Sequence, residues 1–166
     1  GRDGITVYVK RQSHYQRRAA WRLYRLTPML RCEKRALDAC KILGVPVPDI
    51  VSDKEAGHDV ELVLAEIENA LPLSDAINTK DVQRQVLIQN VGRVFAKLHK
   101  RRWVHGSLID EHILVQMSDY SVHLIDLEKA TFGVVRKKRD LARFFRQATY
   151  LSADEKQQLL DAYHAI

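Results

Sequence analysis

Asp126 stands inside the apolar run Leu124-Ile125-Asp126-Leu127, and a carboxylate there is costly unless it is paired or bound to a metal. Mg²⁺ is the cation that such a hard oxygen ligand suits. Upstream, Lys10 ends the β-rich stretch Ile5-Thr6-Val7-Tyr8-Val9-Lys10, and Glu33 follows in a segment that reads as helix. Phosphoryl transfer needs a strand lysine to hold phosphates, a helix glutamate to orient it, an acceptor-activating carboxylate and metal ligands for Mg²⁺. Each residue alone also has a plain reading, Lys10 as a solvated strand end and Glu33 as a surface helix charge. Their order along the chain, closed by Asp126, raises them above it.

Elements that would position these groups follow from pattern. Asp3-Gly4 is a turn signal before the first strand, so the chain is expected to open in a hairpin whose other strand lies before residue 1. Ser13 and Gln16 have capping-box spacing and predict a short basic helix with Arg17, Arg18, Arg22 and Arg25. Thr27-Pro28 predicts the start of a second helix, ended by Gly44 before Pro46 and Pro48. Ile50-Val51 and Val60 to Leu64 read as strands around a polar turn at Asp53 to Gly57, and Ser74 as the cap of a short helix. From Asp81 to Arg101, Leu87, Val91, Val94, Phe95 and Leu98 recur at helical spacing. A loop from His105 to His112, strands at Ile113-Leu114-Val115 and Val122 to Ile125, and a helix with Ser152 and Glu155 as capping box complete the chain. This is an α+β order, with a boundary expected near residues 66 to 72.

Read together, Leu98-His99, then His105-Gly106-Ser107-Leu108, then His112-Ile113-Leu114-Val115 and Leu124-Ile125-Asp126 resemble a kinase catalytic loop and metal-binding segment. With histidine for the usual loop asparagine and Ile-Asp-Leu for Asp-Phe-Gly, the chain is most similar to the lipopolysaccharide-core kinases of the Kdo/WaaP/InaA group, over roughly Ile5 to Phe145. Arg139-Asp140-Leu141-Ala142 resembles the helix start that follows in that group. The resemblance implies a protein-kinase-like fold with a small N-lobe, residues 1–68, whose few-stranded antiparallel sheet and helix are expected to be truncated, and a mainly helical C-lobe, residues 69–166. It implies ATP and Mg²⁺ as cofactors, with Lys10 and Glu33 as the phosphate-positioning pair. Glu66, Ile67 and Glu68 would form the hinge beside adenine, and Asp126 and His112 the metal positions. His105 would order the loop. The pattern His-Arg-Asp-x-x-x-x-Asn places the catalytic aspartate where this chain has Ser107; a serine hydroxyl is no such base, and Asp110 or a water near Ser107 is expected to assist the acceptor hydroxyl instead. No glycine-rich loop precedes Lys10. The implied activity is phosphorylation of a Kdo or heptose sugar of the lipopolysaccharide core. Ser107, His112 and the lack of a glycine loop motivate the alternative of a pseudokinase-like scaffold or nucleotide-binding regulator.

Composition bounds the partners. The chain has 166 residues, is 46% hydrophobic and carries a formal charge of +6, enough for one core and suited to an anionic partner. Phosphorylated lipid A-core and a peripheral contact with the inner membrane fit that charge. Nucleic acid is unlikely, because no zinc-finger, RNP or helix-turn-helix signature accompanies it. His99, His105 and His112 are spaced by six and seven residues, which matches no common zinc pattern. Cys32 and Cys40 would lie roughly 12 Å apart on a helix, beyond the reach of about 7 Å of a disulfide, and suit a reducing cytoplasm. No apolar run approaches the roughly 18 residues of a membrane span.

Overall fold

Strand β1, Val7–Gln12, pairs antiparallel with β5, Asp59–Ala65, which pairs antiparallel with β4, Ile50–Ala56, in the order β1-β5-β4. The computed structural model describes residues 6–14, 16–19, 25–57, 59–133 and 137–166. Along β5, Val60, Leu62 and Leu64 are buried while their neighbours are not, the period of two that gives a sheet one apolar face. Lys10 lies directly opposite Leu62, so its side chain leaves the sheet on that inner face.

The inner face packs on helix α1, Met29–Ile42, which presents Leu30, Cys32, Glu33, Ala36, Leu37 and Cys40 to it. Pro28 precedes the first turn, and Gly44, at φ +66°, turns the chain out of the helix, a left-handed conformation that costs glycine least. No disulfide joins Cys32 and Cys40, and both are buried. Burial pushes the Cys40 thiol up to about 12.

Two expectations for this lobe are corrected. Gln16–Ala19 is not helical but forms β2, paired antiparallel with β3, Arg25–Pro28. Ser13 does not cap a helix; its hydroxyl donates to Asp59 Oδ1 at 2.5 Å, and His14 at φ +60° redirects the chain. Arg22 lies outside the described residues. The expected turn at Asp53 to Gly57 is mostly strand, because pairing continues to Ala56 opposite Asp59. Charged residues there stay exposed yet still find partners, as Glu55 with Arg31.

After β5 the chain forms β6, Ala70–Pro72, and helix α2, Leu73–Asn78. Pro72 caps α2, so Ser74 lies inside the helix it was expected to cap. Helix α3, Arg84–Lys100, buries Leu87, Val91, Val94, Phe95 and Leu98, the stripe the sequence predicts. It is followed by β7, Trp103–Val104, a 3-10 turn at Asp110–His112, then β8, Ile113–Gln116, and β9, Ser121–Leu124. The order β6-β8-β9 makes a small antiparallel sheet, while β7 pairs with β10, Thr131–Phe132. Helices α4, Lys137–Gln147, and α5, Ala153–His164, close the fold. The Ser152–Glu155 capping box is formed at both of its bonds. Where α5 crosses α3, Gly92 faces the Leu159 backbone so closely that an added Cβ would collide with its carbonyl oxygen. Leu124 N donates to Pro46 O at 3.0 Å, which ties the second lobe to the segment between α1 and β4.

Candidate functional site

Between the lobes lies a cleft of about 580 Å³ lined by residues including Lys10, Ala65, Glu66, Ile67, His112 and Asp126, within the range of about 300–1,000 Å³ usual for ligand pockets. Five of the residues expected at a site therefore share one cavity. Glu68 does not line it; the chain turns at Glu68-Asn69, with Asn69 at φ +51°, and leaves Glu68 exposed to solvent.

Lys10 sits at the centre of the charges. Its Nζ lies 2.7 and 3.0 Å from the two carboxylate oxygens of Glu33 and 3.1 Å from Asp126 Oδ1. Burial works against the ammonium, but the attraction of Glu33 and then Asp126 outweighs it and raises the Lys10 pKa. Glu33 is fully buried, and burial raises its pKa more than Lys10 lowers it. At 2.7 Å the geometry is that of an ion pair.

Asp126 reaches this position because its backbone is left-handed, φ 57° and ψ 53°, a conformation disfavoured for most side chains and tolerated by aspartate. Its Oδ2 lies 3.2 Å from His112 Nε2. His112 Nδ1 donates to the Ser107 carbonyl at 2.8 Å, which leaves the Nε2 edge turned to Asp126. His105 stacks on His112 with centroids 5.6 Å apart. It is fully buried, its Nε2 bonds Ile125 O at 2.9 Å, and burial pushes its pKa down to about 4, so the ring is neutral. Through this bond His105 ties the loop to the strand end beside Asp126.

Ser107 is buried, and its backbone carbonyl orients His112. Asp110 does not line the cleft. One carboxylate oxygen accepts the Ser74 amide at 3.1 Å, and the other accepts the Tyr150 hydroxyl in a very short bond. Both oxygens are thus committed to packing the 3-10 turn against α2 and the segment before α5. This argues against the expectation that Asp110 supplies the missing base.

Asp140 is the residue whose part the sequence reading left unstated. It is buried, its Oδ2 accepts the His105 amide at 2.6 Å, and its Oδ1 accepts the Gly106 amide at 3.0 Å. His99 Nε2 lies 3.4 Å from the same carboxylate, and His99 Nδ1 reaches the Tyr163 hydroxyl of α5 at 3.0 Å. Arg143 adds a bond to Gly106 O at 2.9 Å. A usable signal was present, since Asp140 is the single acid between Arg136 and Arg146. A buried carboxylate that holds two backbone amides fixes the loop's path.

The donor set suits a nucleotide with a divalent cation. Mg²⁺ keeps several waters and binds through one or two carboxylates plus substrate phosphates, and Asp126 with His112 beside it meets that modest requirement. Among the described residues, no group of three or more His, Cys, Asp or Glu is arranged to hold a metal.

The fold is that of known kinases. One similar solved structure, WaaP in complex with acyl carrier protein, has 20% sequence identity and a TM-score of 0.73, covering 99% of this chain and 72% of that one. A second, aminoglycoside-3'-phosphotransferase of type VIII, has 14% identity and a TM-score of 0.70, covering 98% and 78%. No curated protein matches the chain at a significant level. The model of the lipopolysaccharide kinase (Kdo/WaaP) family matches residues 2–163, and the chain belongs to that family.

Proposed function

We propose that this protein transfers the γ-phosphate of ATP to a hydroxyl of a Kdo or heptose sugar in the lipopolysaccharide core, at the cytoplasmic face of the inner membrane. Residues 1–68 serve as the nucleotide-side lobe and 69–166 as the acceptor-side lobe. The observation that carries the reading is the Lys10 bridge, which brings Glu33 from α1 and Asp126 from beyond β9 to one ammonium group. In this reading Ala65, Glu66 and Ile67 border the base, Lys10 holds phosphate oxygens, and Asp126 with His112 would hold Mg²⁺. Bound Mg²⁺ supplies charge neutralisation along the phosphates. Glu33 keeps Lys10 aimed into the cleft, and Asp140 with His105 holds the loop that orients His112. General-base help typically contributes about 10²–10⁴-fold, while positioning and electrostatics carry most of phosphoryl transfer, so Ser107 is compatible with slower catalysis.

The test is transfer of labelled γ-phosphate to purified lipid A-core acceptor by the wild-type protein beside Asp126→Ala. Transfer that vanishes in the variant supports the kinase, and transfer that persists undiminished overturns the role of Asp126. A second reading, a nucleotide-binding scaffold, is favoured by one observation: Ser107 replaces the loop carboxylate, and Asp110 is committed to Ser74 and Tyr150. ATP binding without transfer across a panel of core acceptors selects it.

A further inference from the structure

The β7–β10 strand pair bears a surface that the proposed chemistry does not use. Phe132 is 59% exposed, and its ring stands edge-on to Trp103 with centroids 6.1 Å apart. The Arg35 guanidinium lies 6.0 Å from the Trp103 ring centre. Arg101 and Arg102 are exposed immediately before β7, and Gly133 N donates to Arg102 O at 2.7 Å, which joins their backbone to the end of β10. Lys138 and Arg139, exposed in the first turn of α4, follow a few residues beyond β10.

In sequence, the stretches 97–107 and 129–139 contain nine basic residues and no acidic one. Glu128, the acid next in sequence, stands beside Lys129 at 4.0 Å. Single exposed apolar side chains are ordinary on protein surfaces. An exposed phenylalanine joined to a tryptophan, with exposed cations on the adjoining residues, is different, because it matches the layering of a membrane interface. Aromatic rings settle at headgroup level, and Lys and Arg meet anionic phosphates just above.

We propose that the β7–β10 strand pair, with Phe132 at its exposed edge and Arg101, Arg102, Lys138 and Arg139 near it, docks on the anionic surface of a phospholipid bilayer. Among the described residues no helix is long and apolar enough to cross a membrane, so the contact is peripheral. Of the two strands, β7 leads into His105-Gly106-Ser107 and β10 follows Asp126 by a few residues. Docking here would bring the cleft to a lipid-anchored acceptor; in that purpose the inference rests on the kinase reading, whereas the binding itself does not.

The experiment is co-sedimentation of the whole protein with vesicles of phosphatidylglycerol and phosphatidylcholine in equal parts, against pure phosphatidylcholine, without nucleotide. The expected result is binding to the anionic vesicles alone, weakened by salt. Arg101→Glu with Arg102→Glu should reduce it by about ten-fold or more, and Phe132→Ser by about three-fold. The charge-matched control Lys54→Glu with Lys80→Glu, outside this face, should stay within about two-fold of wild type. Circular dichroism melts confirm that each variant is folded. Equal binding to both vesicle types, equal loss in the control, or binding to an acidic protein with none to vesicles would overturn the proposal. Because the readout needs no phosphate transfer, an inactive protein still tests it.

Discussion

Asp140 Oδ2 accepts the backbone amide of His105 at 2.6 Å, and the partner oxygen accepts Gly106 at 3.0 Å. A carboxylate presents two acceptors, whereas an amide presents one acceptor and an NH₂ that would face a backbone N–H. Asp140→Asn is expected to cost about 2–3 kcal/mol, the penalty of leaving a buried donor unsatisfied with some added repulsion. Urea denaturation checks it, and an unchanged midpoint would remove Asp140 from its place as loop anchor.

His105 gives stability a defined pH dependence. Its folded pKa is pushed down to about 4 from an ordinary 6.5, because burial opposes the charged ring. The unfolded chain therefore takes up this proton first, and stability falls as pH drops from about 6.5 towards 4, by roughly 3 kcal/mol for this group. Glu33, with its raised pKa, works in the opposite sense as it is protonated. Comparison with His105→Gln isolates the histidine: the variant should lose the slope between pH 6.5 and 4, and an identical slope in both proteins would refute the assignment.

Gly92→Ala should reverse the usual sign. On a helix, alanine ordinarily stabilises by about 0.8–1.0 kcal/mol over glycine. Here the new methyl would collide with the Leu159 carbonyl and stand 3.0 Å from Ala162 Cβ. Overpacking of this kind costs about 1–3 kcal/mol, so net destabilisation is expected, read as a lower melting temperature.

Lys10→Met removes the partner of a fully buried carboxylate. Breaking a buried pair costs about 3–5 kcal/mol. The Lys10 side chain is 32% exposed, and Glu33 takes up a proton readily, so about 1–2 kcal/mol is the expected loss after that discount. Titration with ATP should show affinity at least about ten-fold weaker. Equal ATP affinity in the variant would disconnect Lys10 from the nucleotide.

Asp110→Asn and Tyr150→Phe separate packing from catalysis. If Asp110 serves to seat the 3-10 turn, both variants lose about 1–2 kcal/mol of stability. They then keep phosphate transfer within about ten-fold, less than the usual 10²–10⁴-fold cost of losing a base. A drop of 10³-fold or so in Asp110→Asn alone, with Tyr150→Phe near normal, would restore Asp110 as the base.

Helix α3 and strands β5, β8 and β9 were legible because burial imposes a period, as at Leu87, Val91, Val94 and Leu98 of α3. Lys10, Glu33 and Asp126 could be ordered from sequence, but that one ammonium meets both carboxylates depends on the register of Lys10 opposite Leu62. Ser13 and Gln16 misled because capping-box spacing is a local signal, and the Ser13 hydroxyl instead found Asp59 across the sheet. The two commitments of Asp110 were invisible for the same reason: Ser74 and Tyr150 lie 36 and 40 residues away along the chain.

Gly106, at φ +79°, lies where an added Cβ would collide with the carbonyl oxygen of Lys129, so the loop before Ser107 and the segment after Asp126 meet backbone to backbone. Such a seam divides mutational tolerance unequally. Position 106 admits no side chain without parting the two segments, whereas position 129 contributes its carbonyl whatever residue stands there. A saturation scan read by proteolysis should find 106 nearly closed to substitution and 129 open, and the charge at 129 can drift without moving the groups on either side of the cleft.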